Sequence, residues 1–265
     1  MTKLLFPLLL LVIATANAQP NYENLTDEKK ADVLLEKLRS NQATDEDKQA
    51  LKKIAFLIQN MGQDQDENQR QYKKSLATID KAIVLFDALK DTLNVANNRK
   101  FKGYLLGRFG KFPEAKQEIK AAIDLYSIKD MKAGVAVSEF DLARIFEFQN
   151  KLDSAIYFAY KARAFWQSQD VAMRVMLINN MLVSLLLKSE QPEEAGAVQA
   201  ASALLLNKPD MHWQTIIDFY FTSMLLYRTI NDIDTAGNYQ RLYLAKVAAL
   251  QANGIAAKSY YEHDR

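Results

Sequence analysis

Few residues of this chain have the type and spacing for chemistry. With no Cys among its 265 residues, it lacks a thiol nucleophile, a thiolate metal ligand and a disulfide framework. Its two histidines stand far apart: His212 precedes Trp213 at the start of a helical pattern, and His263 sits between Glu262 and Asp264. Zinc needs three or four converging ligands, so capping or surface duty is the reading for both. Glu193-Glu194 could be a carboxylate pair, yet acidic residues at a helix start are favoured by the helix dipole alone. Asp141 and Glu147 could serve as acid and base across a groove, but a separation of six does not place them on one helix face. Gly103, Gly107 and Gly110 match a phosphate-binding glycine pattern only loosely and follow no strand. No His-Glu-x-x-His, Gly-x-Ser-x-Gly or spaced acidic calcium loop occurs. No catalytic, metal-binding or cofactor-binding residue is therefore assigned, and the expected activity is binding.

The elements that would position a binding surface are helices. Eight Gly and five Pro are too few for the turns of an all-β chain or the glycine-rich loops of an α/β enzyme, while 49% apolar and 25% charged residues describe a folded chain. Lys and Arg number 34 against 32 Asp and Glu, too balanced for strong attraction to nucleic acid or an anionic membrane.

A polar turn followed by a fixed Ala recurs along the chain. Gly110-Lys111-Phe112-Pro113-Glu114-Ala115, Asn150 to Ala155, Glu190 to Ala195 and Asn231 to Ala236 place that Ala at spacings of 40, 40 and 41. One step further back stands Ser75, so five units are visible. Within each unit, residues four apart, such as Leu142 and Phe146 before the turn and Ala115 and Ile119 after it, make one face of a helix. A small residue where the second helix meets the first lets the two backbones approach closely. Asp153 and Asp234 are candidate caps for second helices, and Pro113 and Pro192 fit a first helical turn, where the missing N–H is not needed.

These hairpins resemble the tetratricopeptide repeat family. Gly103, Leu106, Gly110, Phe112, Ala115, Ala122 and Leu125 match its pattern, as do Leu142, Ala143, Phe146, Leu152, Ala155, Ala162 and Phe165. Arg99, Glu139, Asn179 and Tyr220 stand where the family has an early Trp, and Val183 and Met224 where it has Gly or Ala. The period of about 40 is similar to the longer-linker variant of the family. The resemblance, over about residues 70 to 250, implies an all-α fold: a right-handed superhelical solenoid of about five hairpins, here with an N-terminal capping helix. It also implies a concave groove lined by first helices. By register the groove positions are Asn97, Lys100, Tyr104 and Arg108; Phe140, Arg144 and Phe148; Asn180, Ser184 and Lys188; and Phe221, Leu225 and Arg228. Arg and aromatics in such a set suit a protein or peptide partner, with the arginines facing its carboxylates. Arg108, Arg144 and Arg228 are expected to share one continuous groove. In some members Lys and Asn residues clamp a terminal carboxylate, whereas Tyr104 and Asp141 stand at clamp positions here.

The ends read differently. Lys3, the apolar stretch Leu4 to Ile13 and the small residues of Ala16-Asn17-Ala18 form a secretory signal over residues 1–18, cleaved after Ala18, with periplasmic or secreted residence to follow. Gln19 stands where a bacterial lipid anchor would need Cys. Ala31, Leu34, Leu35 and Leu38 make the face of the capping helix, Thr44 to Asp47 opens the next, and the polar run Gly62 to Arg70 reads as a lengthened loop. The repeat domain then spans 19–252, Asn253-Gly254 is a helix stop, and 253–265 is a short tail. Three functions are compatible with this organisation: an exported scaffold or adaptor, a sensor or regulatory module acting on a partner in trans, and an all-helical enzyme on cell-wall material. The first needs the fewest additions.

The register itself is testable. Ala155→Leu should overpack a helix crossing and destabilise the chain by roughly 1–3 kcal/mol, while Ser154→Ala should change little in the same thermal unfolding measurement. Equal small effects would show the register to be misplaced.

Overall fold

The computed structural model describes residues 25–67, 71–209 and 211–263. The expected signal segment, 1–18, lies outside the described residues. Among those described there are eleven α-helices and no strand: α1 (Leu25–Arg39), α2 (Asp45–Glu67), α3 (Tyr72–Ala88), α4 (Thr92–Arg108), α5 (Phe112–Ile128), α6 (Lys132–Phe148), α7 (Leu152–Ser168), α8 (Ala172–Lys188), α9 (Pro192–Ala203), α10 (Trp213–Thr229) and α11 (Ile233–Ala252). Five antiparallel hairpins, α2/α3 through α10/α11, stack in chain order, with α1 packed on α2 and α3. No described helix is long and apolar enough to cross a membrane.

The regularity originates in the turns. From α4 to α8 each helix has 17 residues and three residues lead to the next. In each connection the middle residue has positive φ: 74° at Gly110, 51° at Asp130, 54° at Asn150, 52° at Asp170 and 58° at Glu190. That left-handed residue turns the chain so that the following N–H reaches a carbonyl of the last helical turn, as Lys111 N–H does to Leu106 and Lys151 N–H to Phe146, both at 2.9 Å. Asn and Asp tolerate this conformation because their short side chains can bond locally. Two helices of fixed length plus two such turns give the forty-residue repeat.

The crossings obey the small-residue rule. Ser75, Ala115, Ala155 and Ala195 are fully buried at the starts of α3, α5, α7 and α9. Facing α5, Gly103 has no room for a methyl group: a Cβ there would lie 2.9 Å from the Ala115 carbonyl oxygen and 2.7 Å from Ile119. Gly62 occupies the corresponding place against α3, where a Cβ would lie 2.6 Å from Ile79, and the Ser75 hydroxyl donates to the Gly62 carbonyl at 2.6 Å. This corrects the loop expected over Gly62 to Arg70 as far as Glu67; residues 68–70 lie outside the described residues. α2 runs on to Glu67 because Gly62 is the contact at which the first hairpin closes.

Two cap assignments also change. Asp232 rather than Asp234 caps α11, accepting from the Thr235 N–H at 3.1 Å, and Asp153 lies inside the first turn of α7 behind Lys151. His212 does cap α10, its Nδ1 accepting from the Gln214 N–H at 3.2 Å. The capping helix buries Ala31, Leu34 and Leu35 as its pattern requires.

Gly103→Ala should destabilise the chain by about 1–3 kcal/mol, since the obstacle is backbone and cannot swing aside. Gly196→Ala, in α9 with no atom within 4 Å of the added carbon, should stabilise by roughly 0.5–1 kcal/mol through helix propensity. Denaturant midpoints moving in opposite directions would confirm this; a shared direction would refute it.

Candidate functional site

An acidic residue in the otherwise apolar middle of α10 organises the site. Asp218 is buried, and its Oδ1 accepts three hydrogen bonds: from Gln214 Nε2 at 3.1 Å, from the Ser259 hydroxyl at 2.8 Å and from the Tyr260 N–H at 2.8 Å. Burial pushes its carboxyl up to about 6, against the downward pull of the three donors. Two of those donors belong to the segment following α11, which the sequence marks only as a tail.

That segment is folded onto the repeats. After Gly254, at φ 77°, the Ile255 N–H donates to the Leu250 carbonyl at 3.0 Å and the chain reverses over α11 and α10. Gln214 Nε2 donates to the Lys258 carbonyl at 3.0 Å, the Ser259 N–H donates to the Tyr243 hydroxyl at 3.1 Å, and that hydroxyl donates to the Glu262 carboxylate. Ala257, Ser259 and Tyr261 are buried while Ala256, Lys258 and Tyr260 are exposed, the two-residue alternation of an extended chain on a surface. A 3₁₀ turn, Tyr260–His263, ends the described chain. Ala257 and Tyr261 join Phe221, Met224 and Tyr243 in one apolar cluster.

The other end of the site is built on α4 and α6. An Arg144 guanidinium nitrogen donates to the Tyr104 hydroxyl at 2.7 Å and to the Tyr260 hydroxyl at 3.3 Å, with its carbon 4.2 Å and 5.2 Å from the two ring centroids. Arg144 thus contacts two phenol rings, one from α4 and one from the tail. Burial works against its charge, but the Tyr260 and Tyr104 rings and Asp141 keep it firmly protonated. Asp141, beneath it, is raised above the usual carboxylate range by burial, opposed by Lys100, Arg144 and Arg174; Lys100 Nζ lies 4.0 Å away. Arg108 stands 5.7 Å over the Tyr104 ring.

Of the sequence-assigned positions, Lys100, Tyr104, Arg108 and Arg144 therefore come together. Phe221 is buried in the cluster that includes Tyr261, and Phe140 and Leu225 pack against it. Phe148 is half-buried in the last turn of α6. The remaining positions have structural partners. Asn97 accepts from the Tyr126 hydroxyl at 2.5 Å, and fully buried Asn180 donates to the Thr215 carbonyl at 2.9 Å, tying α8 to α10. Ser184 is buried, and Lys188 pairs with Glu147 at 3.1 Å. Arg228 does not join the other two arginines: it donates to Gln240 of α11 at 2.8 Å. The fixed Ala explains why. Counting by that Ala, the repeat equivalents of Arg144 are Tyr104, Ser184 and Leu225, so Arg228 stands at a different register position.

Asp218, Gln214, Tyr243 and the segment from Ser259 to Glu262 were not assigned from sequence. Two signals were available: a lone carboxylate on an apolar helix needs partners, and adjacent tyrosines in a tail need a surface.

The raised carboxyl of Asp218 sets a pH dependence. Its folded value of about 6 lies above the ordinary 3.8, so the folded state retains a proton that the unfolded chain releases. Stability from this group is full below about pH 4 and falls as pH rises to about 6, a loss of about 3 kcal/mol. Asp218→Asn keeps an acceptor oxygen and removes the titration. Its melting temperature should come closest to the parent's below about pH 4 and exceed it at pH 7.5, with a residual slope from Asp141. Parallel profiles would exclude Asp218 as the source.

No family model matches the sequence, and neither does any curated protein. Solved structures do match the fold. The crystal structure of BtubC (BKLC) from P. vanneervenii is similar with a TM-score of 0.66 and 17% identity, covering 85% of this chain and 92% of that one. The crystal structure of the Podosopora anserina putative kinesin light chain nearly identical TPR-like repeats covers 87% of this chain and 97% of that one, with a TM-score of 0.43 and 13% identity. At 17% identity the first likeness is one of architecture alone, and with the eleven described helices it establishes an all-α helical-repeat fold.

Proposed function

We propose that this chain is an exported, non-enzymatic helical-repeat scaffold that binds a peptide or protein segment on the face presented by α4, α6 and α10. One observation carries the reading: that face already holds a peptide segment, residues 255–262 of the chain itself, through hydrogen bonds to its backbone, a buried carboxylate and an arginine–tyrosine contact. Recognition that combines main-chain bonds with alternate buried side chains is how extended segments are read on protein surfaces. The cluster of Lys100, Arg108 and Arg144 around Tyr104 supports a partner bearing carboxylates, since guanidinium pairs with them bidentately. Export rests on Lys3, the apolar stretch Leu4 to Ile13 and Ala16-Asn17-Ala18, which fit a signal removed after Ala18 and residence in the periplasm or outside the cell.

Capture of a partner from the exported fraction by the mature chain tests the scaffold reading. Arg108→Glu should weaken the captured partner by roughly 1–2 kcal/mol, the range of an interface residue that matters, without lowering the melting temperature. Lys120→Glu, exposed on α5, is the matched control. Equal losses from Arg108→Glu and Lys120→Glu would refute the site.

A further inference from the structure

The tail is bound as a ligand would be, although covalently attached. Its inward side chains are a small residue, a hydroxyl and an aromatic ring, Ala257, Ser259 and Tyr261, each buried. Its outward Tyr260 contacts Arg144, which also contacts Tyr104, and the Glu262 carboxylate accepts from Tyr243. The contacts come from α6 and from the α10/α11 hairpin, which lies well beyond α6 in sequence, and all three helices are held by the hairpin stack. The segment adds none of the hairpin packing that defines a repeat, and it enters through a single glycine hinge, Gly254.

From these contacts we infer that the face binds in trans an extended partner segment with the tail's own chemistry, a hydroxyl residue followed by two aromatics and a carboxylate, and that residues 255–262 are its competing internal occupant. The inference rests on the scaffold reading and specifies both its ligand class and its control. The Ser259 hydroxyl is the selective element: it donates to Asp218 and is fully buried, so only a small donor fits there. Tyr260 and Arg144 form the second anchor. A bound partner would replace both sets of contacts, and the tail must swing away about Gly254 to admit it.

The test uses the mature full-length chain and a fluorescent synthetic peptide, Gly-Ile-Ala-Ala-Lys-Ser-Tyr-Tyr-Glu-His-Asp-Arg, which copies residues 254–265. Ser259→Glu brings a second carboxylate against Asp218 and should release the tail. Amide exchange at residues 259 and 260 should then become fast while the helical circular dichroism is kept. The peptide should bind this variant at least tenfold more tightly than the parent, and adding Arg144→Ala should remove at least fivefold of that gain. Tyr260→Ala, at an exposed position, weakens the internal contact without placing charge in the core. It should raise peptide affinity severalfold, and it decides the matter should Ser259→Glu lower the helix content. Equal peptide binding to the parent and the released variants overturns internal competition. Absence of binding to every variant, with the tail shown free, overturns the ligand class. Neither result touches the scaffold reading, which stands or falls on partner capture and the Arg108→Glu comparison.

Discussion

Two helical backbones approach closely only where at least one of them carries almost no side chain, and the whole stack depends on that condition being met at each hairpin. Gly62 over Ser75, Gly103 over Ala115 and Ala143 over Ala155 meet it on both sides. A methyl group at Gly103 would collide with a carbonyl oxygen, which the chain cannot move without moving the helix. In the last two hairpins Val183 and Met224 take the first-helix place and only Ala195 and Ala236 remain small. The left-handed residue in each turn then fixes where the second helix begins relative to this contact. Crossing and turn together define one face of every helix and leave the opposite face of the first helices available for other chemistry.

That freedom shows in what the first helices bury. α10 carries Asp218 and α6 carries Asp141, both charged residues in surroundings that oppose ionisation. Neither contributes to the repeat. Each is tolerated because partners surround it: Lys100, Arg144 and Arg174 for Asp141, and three donors for Asp218. Two of the three donors to Asp218 come from outside the repeats altogether, so the hairpins alone leave this carboxylate under-satisfied. Buried polar groups that the scaffold does not complete by itself are what a binding surface offers.

The fold was legible because its determinants are local and periodic. A polar turn with Gly, Asn or Asp, a fixed Ala and apolar residues four apart recur at a spacing that three-residue turns and 17-residue helices enforce. Gly62 escaped notice because the acidic and amide residues after it read as a loop, while the packing that keeps the helix going is a tertiary contact with Ile79. The site was legible in part. Counting from the fixed Ala leads from Tyr104 to Arg144, and the two side chains do meet; the same count excludes Arg228, which turns to Gln240. The tail was not legible, since Ser259 and Asp218 stand 41 residues apart and no periodicity connects them. Its only local mark is the glycine stop, which says where a helix ends and nothing of where the chain goes next.

Attachment changes what a partner must achieve. A short flexible connection holds a segment near its site at an effective concentration on the order of millimolar. A free segment making only the same contacts, and present at about 1 μM, would face roughly a thousandfold disadvantage, or about 4 kcal/mol. Tail chemistry alone is therefore insufficient in a partner; it must add contacts that residues 255–262 do not make. The tail also has a weakness that a partner need not share. It leaves Asp218 well above the ordinary carboxylate range despite three hydrogen bonds, so desolvation of that carboxyl is not fully offset in the self-occupied state. A partner that completes the solvation of Asp218, or that reaches further along α4 past Tyr104, gains in the two places where the internal segment gains least. Selectivity on this surface then comes from the difference between two similar ligands, one tethered and imperfect, the other free and required to be better.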